Sequence, residues 1–218
     1  METASNTDSS ATRRRLERAA AGDQRAWREM VGKYDDRLRR MVMVRLDPRL
    51  GVRIGPSDVL QETYLEASRQ LAEYLRNPAL PFFLWLRQLA GHRLYKLHRF
   101  HLGAQARDAG REVSLYRGSL PEASSAALAA QLLGRECRPS EAAVRAELKL
   151  RLQEALNTMD DLDREVLSLR HFEQLTTAET ARVLGISEAT AGKRYVRALV
   201  RLKDVLIRMP GGLGEWQP

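Results

Sequence analysis

The stretch from Thr176 to Leu202, TTAETARVLGISEATAGKRYVRALVRL, leaves this chain little choice of fold. Thr176-x-x-Glu179 has the spacing of a capping box, in which hydroxyl and carboxylate satisfy orphan amides at a helix start. The helix it opens runs through Ala181 and Leu184 and stops at Gly185, since glycine takes the left-handed conformation of a helix end at no steric cost. Ile186 follows as an apolar plug, and Ser187 caps a second helix. Helix, glycine turn, plug and capped helix predict a helix-turn-helix.

The second helix carries two faces. At about 100° per residue, Ala191, Tyr195, Ala198, Leu202 and Leu206 share a stripe that must meet a core. Thr190, Arg194, Arg197, Arg201 and Arg208 form another stripe roughly a quarter-turn away, with Lys193 beyond it. Charge runs are usually solvated faces. Here the arginines continue from the recognition position of the motif, where a helix enters a major groove and Arg reads guanine edges or clamps phosphates. The pattern therefore predicts contact with duplex DNA.

Composition sets the limits. A chain of 218 residues holds one large domain or two small ones. A net charge of +8 suits a polyanionic partner. A basic surface also suits a membrane, but no apolar run approaches the ~20 residues of a span, and METASNTDSS lacks a signal-peptide apolar region. A soluble, cytoplasmic protein is expected. The single cysteine, Cys137, rules out an internal disulfide and a multi-cysteine zinc site. His92, His98 and His101 include only one same-face pair and no acidic or thiolate companion, so they read as polar groups on a basic helix rather than metal ligands. No glycine-rich phosphate loop or nucleophile–base pair is visible. Neither catalytic residues, a cofactor nor a small-molecule substrate is expected.

In chain order, residues 1–12 are Ser/Thr/Asn-rich and read as disordered, with a short helix from about Arg13. Asp23 can cap the next helix, in which Trp27, Met30, Val31, Tyr34, Leu38, Met41 and Val42 recur at helical spacing until Asp47-Pro48. A third helix starts at Ser57, buries Leu60, Thr63, Tyr64, Ala67, Leu71 and Tyr74, carries acidic first turns, and ends at Asn77-Pro78. A fourth runs from near Pro81 to about His101. Its Phe82, Leu86, Leu89 and Leu97 mark a core side, and Gln88, His92, Tyr95, Lys96 and Arg99 a basic, aromatic-bearing face suited to single strands. Arg93 falls among the apolar positions and needs a carboxylate, with Asp58, Glu62 and Glu66 as candidates. Residues 103–138 read as a flexible linker, with an Ala-rich, transiently helical piece from Glu122 to Leu133. Structure resumes at Pro139-Ser140. A helix with Leu148, Leu152, Ala155 and Leu156 follows, then another with Leu162, Val166, Leu169 and Phe172 inside. Residues 210–218 read as a mobile tail. The expectation is an all-α protein of two small helical domains, residues 13–102 and 139–209, joined by that linker.

DDLDREVLSLRHFEQLTTAETARVLGISEATAGKRYVRAL resembles the fourth region of extracytoplasmic-function sigma factors of the sigma-70 type. SDVLQETYLEA, followed by Phe82, Trp85 and Leu86, resembles their second region. Each piece alone is common; both in this order and spacing are specific. The runs GVRIGPSDVLQET and LHRFHLGAQARDAGREVSL are similar to a group of these factors from planctomycete-like bacteria.

The resemblance implies a factor that directs RNA polymerase core to promoters and performs no covalent chemistry. It implies that Asp58, Leu60, Gln61 and Glu62 dock on the clamp helices of the largest polymerase subunit, with the flap as a second contact. The loop from about Glu73 to Pro81, with Arg76 and Asn77, would capture an unstacked −10 base. Gln88, His92, Lys96 and Arg99 would guide −10 DNA, and Ser187, Thr190, Lys193, Arg194, Arg197 and Arg201 would read the −35 duplex. An anti-sigma protein is a further candidate partner. His92 stands where the family usually has Asn, and Lys96 where an acid is common, departures that bear on −10 specificity. The alternative is a dimeric helix-turn-helix regulator that leaves the resident sigma factor in place.

Overall fold

In a computed structural model, residues 3–47, 49–50, 53–102, 128, 132 and 142–208 are described, in helices and the turns and short loops between them. The helices are α1 (Thr3–Ala20), α2 (Gln24–Arg45), α3 (Pro56–Arg76), α4 (Phe82–Leu102), α5 (Ala142–Thr158), α6 (Asp161–Leu167), α7 (Thr177–Leu184) and α8 (Glu188–Arg208). A π-helical turn, Ser168–Phe172, follows α6. None of the described helices is long and apolar enough to cross a membrane. The chain divides into two compact units: Met1–Val42 with Arg49–Ala106, and Met43–Pro48 with Arg107–Pro218.

The first unit is built on α2, α3 and α4. Asp23 caps α2 by accepting the Ala26 amide at 3.0 Å. The carboxylate of Asp58 accepts the Gly55 amide at 2.8 Å at the start of α3. Met30, Leu38, Met41, Leu60, Ala67, Leu71, Leu86 and Leu94 fill the core. Over one end lies an aromatic cluster in which Phe82 meets Trp27, Tyr34, Tyr74 and Trp85, with centroids 5.6–6.5 Å apart. Arg37 stacks on Phe83 at 3.7 Å, a geometry in which the guanidinium gains from the ring face.

Helix α1 begins at Thr3, well ahead of the expected Arg13. Leu16 is buried and anchors the helix, and extension through Ser and Thr costs only fractions of a kcal/mol per residue, about 0.7 at most.

The second unit packs Leu128, Leu152, Ala155, Leu156, Leu167, Phe172, Ala198, Leu202 and Leu206 into one core. Leu128 lies within the stretch read as linker, yet is almost fully buried there. Most of that stretch, including Cys137, lies outside the described residues, as does the tail after residue 208. Asp160 caps α6 by accepting the Asp163 amide at 2.9 Å. This start sets the helix phase, and Leu162, expected inside, is 57% exposed while Asp163 and Glu165 turn inward. The unit also takes in residues 43–48, where Arg45 is buried between two carboxylates. Its Nε donates to Glu173 Oε1 at 2.5 Å, and its Nη2 to Glu165 Oε1 at 2.6 Å. Burial opposes the guanidinium's charge, but these two carboxylates outweigh it and raise its pKa.

Candidate nucleic-acid interface

The helix-turn-helix forms as its sequence directs. Thr176 Oγ1 accepts the Glu179 amide at 3.1 Å, and Glu179 Oε2 accepts the Thr176 amide at 2.8 Å. Gly185 takes φ 62°, ψ 33°. The Ile186 amide then reaches back to Ala181 O at 3.0 Å, closing the wide loop that ends a helix at a left-handed residue. Ser187 Oγ accepts the Thr190 amide at 3.2 Å and hydrogen-bonds the Thr190 hydroxyl at 2.7 Å. α7 is entered through the π-helical turn. There the Glu173 amide donates to Ser168 O and the Leu175 amide to Leu169 O, both at 2.9 Å. Gln174 takes φ 57° between them. No glycine or asparagine at 174 announces this turn, and the sequence pattern read it as continuous helix.

On α8, Ala191, Ala198, Leu202 and Leu206 are buried and Tyr195 half-buried. Arg170 sits over the Tyr195 ring at 5.2 Å. Lys193 and Arg197 are exposed, and Arg194 and Thr190 half-buried. Arg201, expected to face DNA with them, is held by carboxylates: Asp160 at 3.1 Å and, in direct contact, Asp163. These partners raise its pKa. One turn beyond Arg197, α8 passes the cap of α6, and the guanidinium there pairs with two acids while its side chain stays 60% exposed. Lys193, Arg194 and Arg197 supply the basic groups of the first three turns of α8, and Arg201, Lys203 and Arg208 are exposed farther along it.

In the first unit, Gln88, His92, Lys96 and Arg99 all lie exposed along α4. His98 departs from the expected solvated group and is buried, while the His101 side chain lies outside the described residues. Arg76 and Asn77 are exposed at the end of α3, where Asn77 takes φ −143°, ψ 78° and its amide bonds Glu73 O. Tyr74 positions the loop that follows. Its hydroxyl donates to Leu80 O at 2.9 Å, and its ring stacks on Trp85 at 4.4 Å. Burial pushes its pKa up to about 12, so it remains a donor at any physiological pH. The sequence pattern marked Tyr74 only as core; its place one turn before Asn77-Pro78 was the available signal.

On α3, Asp58, Gln61 and Glu62 are exposed, whereas Leu60 is 2% exposed. Leu60 is on the stripe of Thr63, Ala67 and Leu71, so it belongs to the core and not to the exposed face of Asp58, Gln61 and Glu62. Glu62 lies 3.9 Å from Arg93, whose side chain is 39% exposed rather than buried. Glu62, Gln61, Asp58 and Arg93 line an open crevice of about 230 Å³ with Arg53 and Ile54. Among the described residues, no group of His, Cys, Asp and Glu is placed to hold a metal.

The Sigma-70, region 4 family matches residues 149–202, which span α5 to α8. The ECF RNA polymerase sigma factor SigD of Mycobacterium tuberculosis is 31% identical over 193 residues, covering 87% of this chain and 81% of that one. The RNA polymerase sigma factor CnrH of Cupriavidus metallidurans is 28% identical, covering 86% of this chain and 90% of its own. The solved structure of CnrH with the cytosolic domain of CnrY superposes with a TM-score of 0.55 at 24% identity, covering 90% of this chain and 97% of that one. That likeness supports the all-helical fold. With a relative this similar along most of both chains, the protein belongs to the ECF RNA polymerase sigma factors.

Proposed function

We propose that residues 13–102 dock on polymerase core and hold the melted −10 element, and that residues 139–209 read the −35 duplex, with 103–138 as the connection. The observation that carries this reading is that one chain presents two unlike surfaces. A capped helix-turn-helix has Lys193, Arg194 and Arg197 on its first turns, and a separate unit has a polar stripe, Gln88, His92, Lys96 and Arg99, beside the Asn77 loop. Duplex reading needs the first; trapping unstacked bases suits the second. Arg201 belongs to the bracing of α8 in this reading, and Ser187 and Thr190 to its cap. Two weak sites gain effective concentration once polymerase fixes their spacing. CnrH, solved with CnrY, supports a protein antagonist as a further partner.

Asp58, Gln61 and Glu62 supply the contact to the clamp helices of the largest polymerase subunit, and the flap is a second polymerase contact of the chain. Gln61→Ala combined with Glu62→Arg removes core binding in gel filtration with purified core enzyme, while circular dichroism stays that of the parent. Co-elution of the double variant at the parent's concentration would assign the surface elsewhere.

A further inference from the structure

Apart from its basic residues, α8 exposes Val196 (59%), Val200 (56%) and Ile207 (50%). At about 100° per residue these fall on one narrow stripe with Ala189 and Lys193, nearly opposite the buried Ala191, Ala198 and Leu202. A lone exposed valine on a protein surface carries no message. Here the position does: Val196 follows Lys193 by three residues and precedes Arg197 by one, on the side of the helix farthest from the core. Valine is also a weaker helix former than Ala, Leu or Lys, so a solvated helix face gives no reason for it. Gly192, on the same side, has room within the fold, since a Cβ would meet Thr177 Cγ2 at an ordinary 3.8 Å.

We propose that Val196 is a specificity-determining residue that reads a thymine in the −35 duplex through its C5-methyl group. This rests on the −35 reading of α8 and deepens it. Base edges in the major groove are donors and acceptors throughout, and thymine's methyl is the one apolar group among them. A valine pressed on a donor or acceptor strips water from a polar atom and returns nothing, and cytosine's C5–H lacks the methyl's reach. The N-terminal turns of a recognition helix meet the bases. At 1.5 Å per residue, Ile207 lies about 16 Å farther along the axis than Val196, beyond that reach. Lys193 and Arg197 then flank the methyl contact with charge for phosphates or guanine edges.

The test uses the full chain assembled with core polymerase. A −35 element is first selected from a randomised duplex library. Each thymine in it is then replaced in turn by deoxyuridine, which deletes only the methyl. Affinities are measured for the parent, Val196→Ala and Ile207→Ser. At one thymine, deoxyuridine weakens the parent about fourfold, the worth of one buried methyl-sized group. Val196→Ala loses a similar factor on thymine and is indifferent to the methyl there, and Ile207→Ser matches the parent. Independent, multiplying losses at every thymine would overturn the inference, as would a selected element without thymine. Equal losses from Val196→Ala and Ile207→Ser would instead make the stripe one continuous docking face. Failure to select any sequence would overturn the −35 reading of α8 as well.

Discussion

Gly192 lies inside a 21-residue helix with ordinary space around it. Alanine there should raise helix stability by up to about 1 kcal/mol. If duplex DNA approaches this backbone closely, Gly192→Ala raises the melting temperature while weakening promoter binding by holoenzyme. A stabler variant with unchanged affinity would remove the close approach. Arg45 gives the opposite case. Arg45→Met removes the guanidinium that bridges the buried Glu165 and Glu173, and should cost about 3–5 kcal/mol in urea unfolding. A loss under 1 kcal/mol would mean that water reaches the carboxylates. The Arg45 cluster was illegible in the sequence, because its members stand 120 and 128 positions apart and no local period connects them. The ion pairs of Arg201 are illegible for the same reason: its phase on α8 is readable, but the acids beside it, Asp160 and Asp163, are about forty positions away. Gly185 and the Thr176–Glu179 box were legible because their partners lie within a few residues.

At the scale of elements, the cap of α6 should make stability depend on acid pH. Asp160 is held below its ordinary value of 3.8, first by the Asp163 amide; burial opposes this, and the Asp163 side chain and the Arg201 charge lower it further. A carboxyl lowered on folding binds its proton more weakly in the folded state. Its stabilising share is therefore complete above the unfolded value and is lost as pH falls through the folded one. Asp160→Asn should accordingly lower stability near neutrality and flatten the fall in stability below about pH 4. Parallel acid limbs for parent and variant would show that the cap contributes no such dependence. Helix existence and the core faces of α3 and α8 followed from a 3.6-residue period, while boundaries and phase did so less reliably. Leu60 fitted both a core stripe and a docking surface by sequence, and burial decides for the core. Leu162 was assigned inward on a period that the Asp160 cap and the π-helical turn both shift.

At the scale of the whole molecule, two units with unlike surfaces explain why one chain serves as a promoter-specificity subunit. All-α architecture and family were legible because fourth-region and second-region patterns occur in order. Which side chains meet polymerase, strand or duplex depends on exposure, which a linear pattern reports poorly. The most direct measurement is transcription in vitro with core polymerase freed of every other sigma factor, on duplex templates and on templates with a pre-unpaired −10 region. The account predicts specific initiation from the protein's own promoters when this chain alone is added. Asn77→Ala or His92→Ala should weaken initiation on duplex and recover much of it on the pre-opened template, because the melting cost has been removed in advance. The Gln61→Ala, Glu62→Arg variant should stay inactive on both. Silence of sigma-free core on every template, with activity returning only when another sigma factor is added, would contradict the account.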